Sequence, residues 1–76
     1  MIVLKFIIIQ QTLNIKSEKN ISQIIIYNIT GSITFKSYEK GNNAKVDLSK
    51  FDKGMYFIKI VFGKENNTVV RKIIVN

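Results

Sequence analysis

Hydrophobic and polar residues alternate along most of this chain at the two-residue period of a β-strand. The pattern is clearest across residues 48–60. Tyr56, Ile58 and Ile60 fall on one face, and Phe57, Lys59 and Val61 on the other. Lys59 lies mid-strand, so its face turns to water and Tyr56, Ile58 and Ile60 point into a core. Val46 and Leu48 alternate with Lys45 and Asp47 in the same way. Between the two runs, Asp52-Lys53-Gly54 reads as a turn, with Gly54 free to take a positive φ at no Cβ cost. Phe51 is placed to plug the space beneath that corner.

The rest of the chain divides by the same rule. Residues 1–9 are nearly all apolar and read as a strand that is buried or paired with a partner. They are too short to span a bilayer, which takes about 20 residues. They also make a poor signal peptide, because the charge lies inside the apolar run and Gln10-Gln11-Thr12 is no cleavage site. Residues 12–16 alternate and turn Leu13 and Ile15 inward. Residues 17–20 are polar and read as a turn. Residues 21–29 place Ile24 and Ile26 on one face and Ile25, Tyr27 and Ile29 on the other, as in a central strand. Thr30-Gly31-Ser32 turns the chain, and residues 33–38 return as a hairpin. Residues 39–43 read as a loop of turn formers. Strands at 44–48 and 55–62, a hairpin loop at 63–67 and a last strand at 68–75 complete the chain. Seven short strands with regular turn signals predict an all-β fold, a small seven-stranded immunoglobulin-like β-sandwich. The Gly-x-Tyr corner suggests a packing device akin to a tyrosine corner, its hydroxyl returning to backbone.

Composition narrows the function. Seventy-six residues make one domain with a small core. There is no cysteine and no histidine, which removes disulfides, thiolates, the commonest metal ligand and the commonest general base. Glu18, Glu39, Asp47, Asp52 and Glu65 are scattered, with no spacing for a carboxylate dyad or a calcium loop. No enzyme activity, cofactor or metal site is expected. The net charge of +7 raises a nucleic-acid or anionic-surface partner. Fifteen isoleucines, eleven lysines and eight asparagines instead match an AT-rich coding bias. The lysines are spread out and arginine forks are missing, so no nucleic acid is expected. The absence of proline leaves lysines to blunt the sheet edges.

Three Asn-x-Ser/Thr matches, at Asn20, Asn28 and Asn66, are expected by chance in so asparagine-rich a chain. The Phe35-Lys36-Ser37-Tyr38 run has the look of a stacking platform for single-stranded nucleic acid, but a strand with one wet face has the same pattern and is preferred.

Three segments together resemble the type A C-terminal sorting domain of the type IX (Por) secretion system, across residues 11–76. Residues 23–31 resemble the family's apolar-x-apolar-Tyr-Asn/Asp-x-x-Gly hairpin through Tyr27, Asn28 and Gly31. Residues 46–60 carry Asp47-Leu48-Ser49, Phe51, Gly54, Tyr56 and Phe57. The chain closes on Val70-Arg71-Lys72-Ile73-Ile74-Val75-Asn76, a basic pair followed by an apolar strand. The family usually opens with a Pro-Asn-Pro segment that this chain lacks, and residues 1–10 form an apolar strand without a family counterpart.

The resemblance implies a role without chemistry. Such domains are signals at the C-terminus of cargo in transit through the periplasm. The outer-membrane type IX translocon recognises them, and a surface sortase-like protease typically removes them, leaving cargo on the cell surface or outside the cell. The residues implied are Tyr27, Gly31, Leu48, Gly54, Tyr56, Arg71 and Lys72. Gly54 and Tyr56 are expected mainly to hold the fold, and Arg71 and Lys72 to make direct contacts. The chain shows no credible export signal or cargo domain of its own. The rival expectation is a free-standing interaction module, homodimeric through residues 1–9; a basic surface binder is the second.

Overall fold

The computed structural model describes residues 4–63 and 67–76. These form five strands and no helix: β1 (Leu4–Ile9), β2 (Thr12–Asn28), β3 (Ile33–Asp47), β4 (Gly54–Phe62) and β5 (Asn67–Val75). All belong to one antiparallel sheet that curls on itself. Residues 1–3 of the expected first strand, and 64–66 of the expected hairpin loop, lie outside the described residues.

Five strands replace the seven expected. The turn expected at residues 17–20 and the loop expected at 39–43 are both strand. They are where β2 and β3 lose register instead. From Lys16↔Asn43 to Ile21↔Gly41, β2 advances five residues while β3 advances two. From Ile21↔Phe62 to Gln23↔Val61, β2 advances two while β4 advances one, a β-bulge. Ser22 is the additional residue, and its hydroxyl donates to the Val61 carbonyl at 3.0 Å. The bulge switches which side chains face inward, from Leu13, Ile15, Ser17 and Ile21 before it to Ile24 and Ile26 after it. Turn-forming residues here bend a strand without ending it: the Lys19 N–H donates to Ser17 Oγ at 3.1 Å, the Gly63 N–H donates to the Asn20 carbonyl at 3.2 Å, and ladder pairing resumes at Ile21.

The irregular stretch divides the pairing in two. The first half of β2 lies between β1 and the end of β3, with Phe6↔Ile15 and Ile15↔Ala44 in register. The second half lies between the start of β3 and β4, with Ile26↔Phe35 and Ile26↔Ile58 in register. β5 pairs the far side of β4. Residues 21–28 are thus central, as expected, and β2 is the strand that organises the molecule. β3 and β4, joined at residues 48–53, pair with β2 and not with each other. Leu13 and Ile15 from one half meet Ile24, Ile26, Ile58 and Ile60 from the other in one core, each at most 1% exposed. Leu4, Phe6, Phe35, Phe51 and Val69 pack around its rim.

β1 and β2 are joined by Gln10-Gln11, with φ of 49° and 66°. This two-residue primed turn matches the twist of the strands. It was hidden in the sequence because glutamine seldom takes positive φ. The tip is held by the Leu48 N–H, which donates to the Gln11 carbonyl at 2.7 Å. Among the described residues β1 pairs on one side alone, with β2, and Ile7, Ile8 and Ile9 are each more than two-fifths exposed.

Candidate recognition surface

Two loops meet at one end of the sheet. The first is the 29–32 turn between β2 and β3. Asn28 organises it: its Oδ1 accepts from the Thr30 and Ser32 N–H groups at 3.0 Å each and from the Thr30 hydroxyl at 2.7 Å. Asparagine is favoured here because its side chain reaches backbone two residues on. The Gly31 N–H donates to the Asn28 carbonyl at 3.0 Å, and Gly31 has φ +89°. The bonds to Asn28 Oδ1 give that residue a structural part in shaping the turn.

The second loop is the corner from Leu48 to β4. The Phe51 N–H donates to the Leu48 carbonyl at 3.0 Å. The Ser49 N–H donates to Asp47 Oδ1 at 2.9 Å. That bond holds the exposed Asp47 carboxyl below its ordinary range, with help from the Ser49 hydroxyl and Lys50. Leu48 is 2% exposed and closes the core. The Phe51 ring meets the Tyr56 ring edge-on, 5.3 Å between centroids and 65° apart. The Tyr56 hydroxyl donates to the Asp52 carbonyl at 2.7 Å. The expected corner device is therefore present: Tyr56 reaches back over the turn and ties it to β4. Gly54 enters β4 at φ +147°.

Asn28 stands opposite Tyr56 in the ladder, so the two loops are neighbours. Asn28, Ile29, Asp52, Lys53, Gly54, Met55 and Tyr56 line a shallow depression between them. The fold thus brings Gly31, Gly54 and Tyr56 to one end, with Leu48 buried behind them.

Tyr27, Arg71 and Lys72 stand elsewhere. Tyr27↔Phe57↔Lys72 is one cross-strand row on the outward face of β2, β4 and β5. Arg71 stands opposite Ile58, on the other face, and its guanidinium donates to the Val70 carbonyl at 3.2 Å. The basic pair is therefore split between two faces, as adjacent strand residues must be, and does not form one patch. The outward face also carries Met55, Phe57, Val70 and Ile74, each between 39% and 55% exposed. Sequence reasoning placed Phe57 outward with Lys59 but did not count this face as a site. Its signal was an apolar residue at alternate positions that the core did not need.

Among the described residues no cluster of His, Cys, Asp or Glu is placed to hold a metal ion. No buried side-chain nitrogen or oxygen lacks a hydrogen-bond partner there. In the two loops the side-chain oxygens of Asn28, Asp47 and Tyr56 are engaged in holding backbone.

No curated protein sequence matches the chain. The family model of the secretion system C-terminal sorting domain matches residues 9–76, which takes in both loops, the outward face and all of β2 to β5. A match over nearly the whole chain places it by descent where the hairpin and corner motifs had pointed: it belongs to the C-terminal sorting domains, the signals that mark proteins for the type IX secretion system.

Proposed function

We propose that the folded domain is read by the type IX translocon as cargo attached to it waits in the periplasm, and that the cargo then crosses the outer membrane. In this reading the domain does no chemistry and needs no cofactor. A surface sortase-like protease removes it after passage. Domains of this family belong to proteins exported to the cell surface or the extracellular space. The curled sheet acts as a two-layered, immunoglobulin-like sandwich, its layers sharing the bent strands β2 and β3. The segment before residue 11, in which β1 (Leu4–Ile9) is the described strand, lies outside the recognised body, which runs from 11 to 76.

The observation that carries the proposal is the family match over residues 9–76, joined to a corner in which Gly54, Tyr56, Phe51 and Leu48 each have a structural task. Gly31, Gly54, Leu48 and Tyr56 hold the signal in shape. Tyr27, Lys72 and Arg71 are left at the surface to be touched.

The test is an export assay with the full chain fused behind a periplasm-directed fluorescent reporter. Reporter outside the cells of a host with a working type IX system, and retained in its translocon-deficient twin, is the expected result. Retention in both hosts, with the domain folded, would refute the proposal. A second reading rests on the unpaired edge of β1 with its exposed Ile7, Ile8 and Ile9: two copies pairing through that strand. A monomer by light scattering at high concentration would remove it.

A further inference from the structure

The outward face of β2, β4, β5 and the start of β3 has a composition that a solvated face does not need. The register defines its rows. Ile33, Tyr27, Phe57 and Lys72 form one, and Lys36, Ile25, Lys59 and Val70 the next. Tyr38, Gln23, Val61 and Thr68 follow on one side, and Met55 and Ile74 on the other. No position in these rows is a carboxylate. Ile25 and Val61 are buried at 7% and 9% on this outer side, while Ile33, Met55, Phe57, Val70 and Ile74 stand 39–57% exposed.

The three lysines are close together. Lys59 and Lys72 are diagonal neighbours on β4 and β5, about 7–8 Å apart at the backbone. Lys36 lies two strands from Lys59, about 10 Å away. These separations are within or near the screening length at physiological salt. The ammonium of Lys36 sits 5.6 Å from the centre of the Tyr38 ring, a cation–π contact that steadies one of the three charges. No carboxylate in these rows offsets the other two.

We propose that this face docks on a protein surface that combines carboxylates with aromatic or aliphatic side chains. The inference rests on the sorting-signal reading, and the partner is then a component of the export machinery. Three like charges on a partly apolar sheet are complementary to that chemistry: the carboxylates relieve the repulsion and the apolar contacts bury Phe57, Val70 and Ile74. The opposite end of the sheet does not share this design. There the outward rows of β1, β2 and β3 also carry three lysines, Lys5, Lys16 and Lys45, and the exposed Ile7 and Ile9, but these stand among Thr12, Asn14, Asn43 and the carboxylate of Asp47, which breaks up the apolar area and offsets part of the charge.

Two measurements test it. The first follows backbone amide shifts of the full chain on titration with a glutamate–tyrosine copolymer. Shifts are expected at β4 and β5, weakening with added salt, and affinity is expected to fall about tenfold in the Lys59→Gln, Lys72→Gln double variant. Shifts centred on Lys5, Lys16 and Lys45, or equal affinity in the double variant, would overturn the inference. So would tighter, salt-sensitive binding to phosphatidylglycerol vesicles than to the copolymer. The second is the export assay with the same double variant and with a Lys16→Gln, Lys45→Gln control, both checked for folding by circular dichroism. Export is expected to fall about tenfold for the first and stay within about twofold for the second. Equal export by both, with the unaltered chain exported normally, defeats the docking inference alone. Failure of the unaltered chain to be exported defeats the sorting reading, and the copolymer titration then decides the acidic-surface inference by itself.

Discussion

The two halves of β2 are built from the same chain and share one core, yet they differ. Residues 12–17 are amphipathic: Leu13 and Ile15 are buried, and Thr12, Asn14 and Lys16 face outward. Residues 24–27 are apolar on both faces, with Ile24 and Ile26 inward and Ile25 and Tyr27 outward. The difference follows position in the sheet. The first half has β1 beside it, a strand paired on one side alone, and its outer face is left to water. The second half lies among four strands, where Lys36 and Lys59 flank Ile25 in register and their stems can lie along it. One half shows what a sheet needs to fold. The other carries more apolar surface than folding requires.

The largest effect that would test this contrast comes from Ile24 and Ile25. Ile24→Ala should cost about 2–5 kcal/mol through lost burial and a cavity, enough to unfold much of a chain this small. Ile25→Ala should cost about half of that, because its outer side can relax toward solvent. Urea unfolding of the two variants measures it, and equal losses would erase the distinction between the faces.

Next comes Gly54→Val. A Cβ at Gly54 would meet no atom within 4 Å, so the penalty lies in the backbone. A β-branched residue at φ +147° should cost about 1–3 kcal/mol. The variant's thermal transition, followed by circular dichroism, should move down by about 4–24 °C, while the Lys16→Gln, Lys45→Gln control stays close to the unaltered chain.

Tyr56→Phe keeps the ring against Phe51 and removes the hydroxyl that donates to Asp52. About 1 kcal/mol of stability should be lost, which in a domain of this size lowers Tm by about 4–8 °C. An unchanged Tm would mean that ring packing alone holds the corner.

The smallest effect belongs to Asp47. Its carboxyl is held below the ordinary range by the Ser49 N–H, so the unfolded chain takes up the proton first as pH falls. Its contribution is complete above the ordinary carboxylate range and is lost as pH drops through the lower folded value. Asp47→Asn should leave stability at neutral pH nearly unchanged and flatten the acid side of the stability curve. A carboxyl titration by NMR gives the folded value directly.

Much of this was legible beforehand. Alternation assigned Leu13, Ile15, Tyr56, Ile58 and Ile60 to the core, and all are buried; it put Ile24 and Ile26 together on one face of a central strand, and the structure makes that the core face. Asp52-Lys53-Gly54 and Thr30-Gly31-Ser32 turn the chain, and the Tyr56 hydroxyl returns to backbone. The errors at 17–20 and 39–43 have one cause. Turn-forming residues and a change of inward phase read alike whether a strand ends or bulges, and what decides is the neighbour across the ladder. The same is true of Gln10-Gln11, whose left-handed turn no local preference announces. Arg71 and Lys72 were legible as a motif but not as a geometry.

What the sequence determined by itself was local: which residues prefer extended backbone, which alternate inward, and which glycines and asparagines end a run. These follow from period-two side-chain direction and from short-range sterics, and they need no partner strand. Only the tertiary structure decided that β2 and β3 run through their bends, that residues 48–53 join strands that never pair, and that Tyr27, Phe57, Lys59 and Lys72 share one face. Those outcomes depend on hydrogen bonds and packing between residues far apart in the chain, where the energy of the pair settles what neither partner specifies alone.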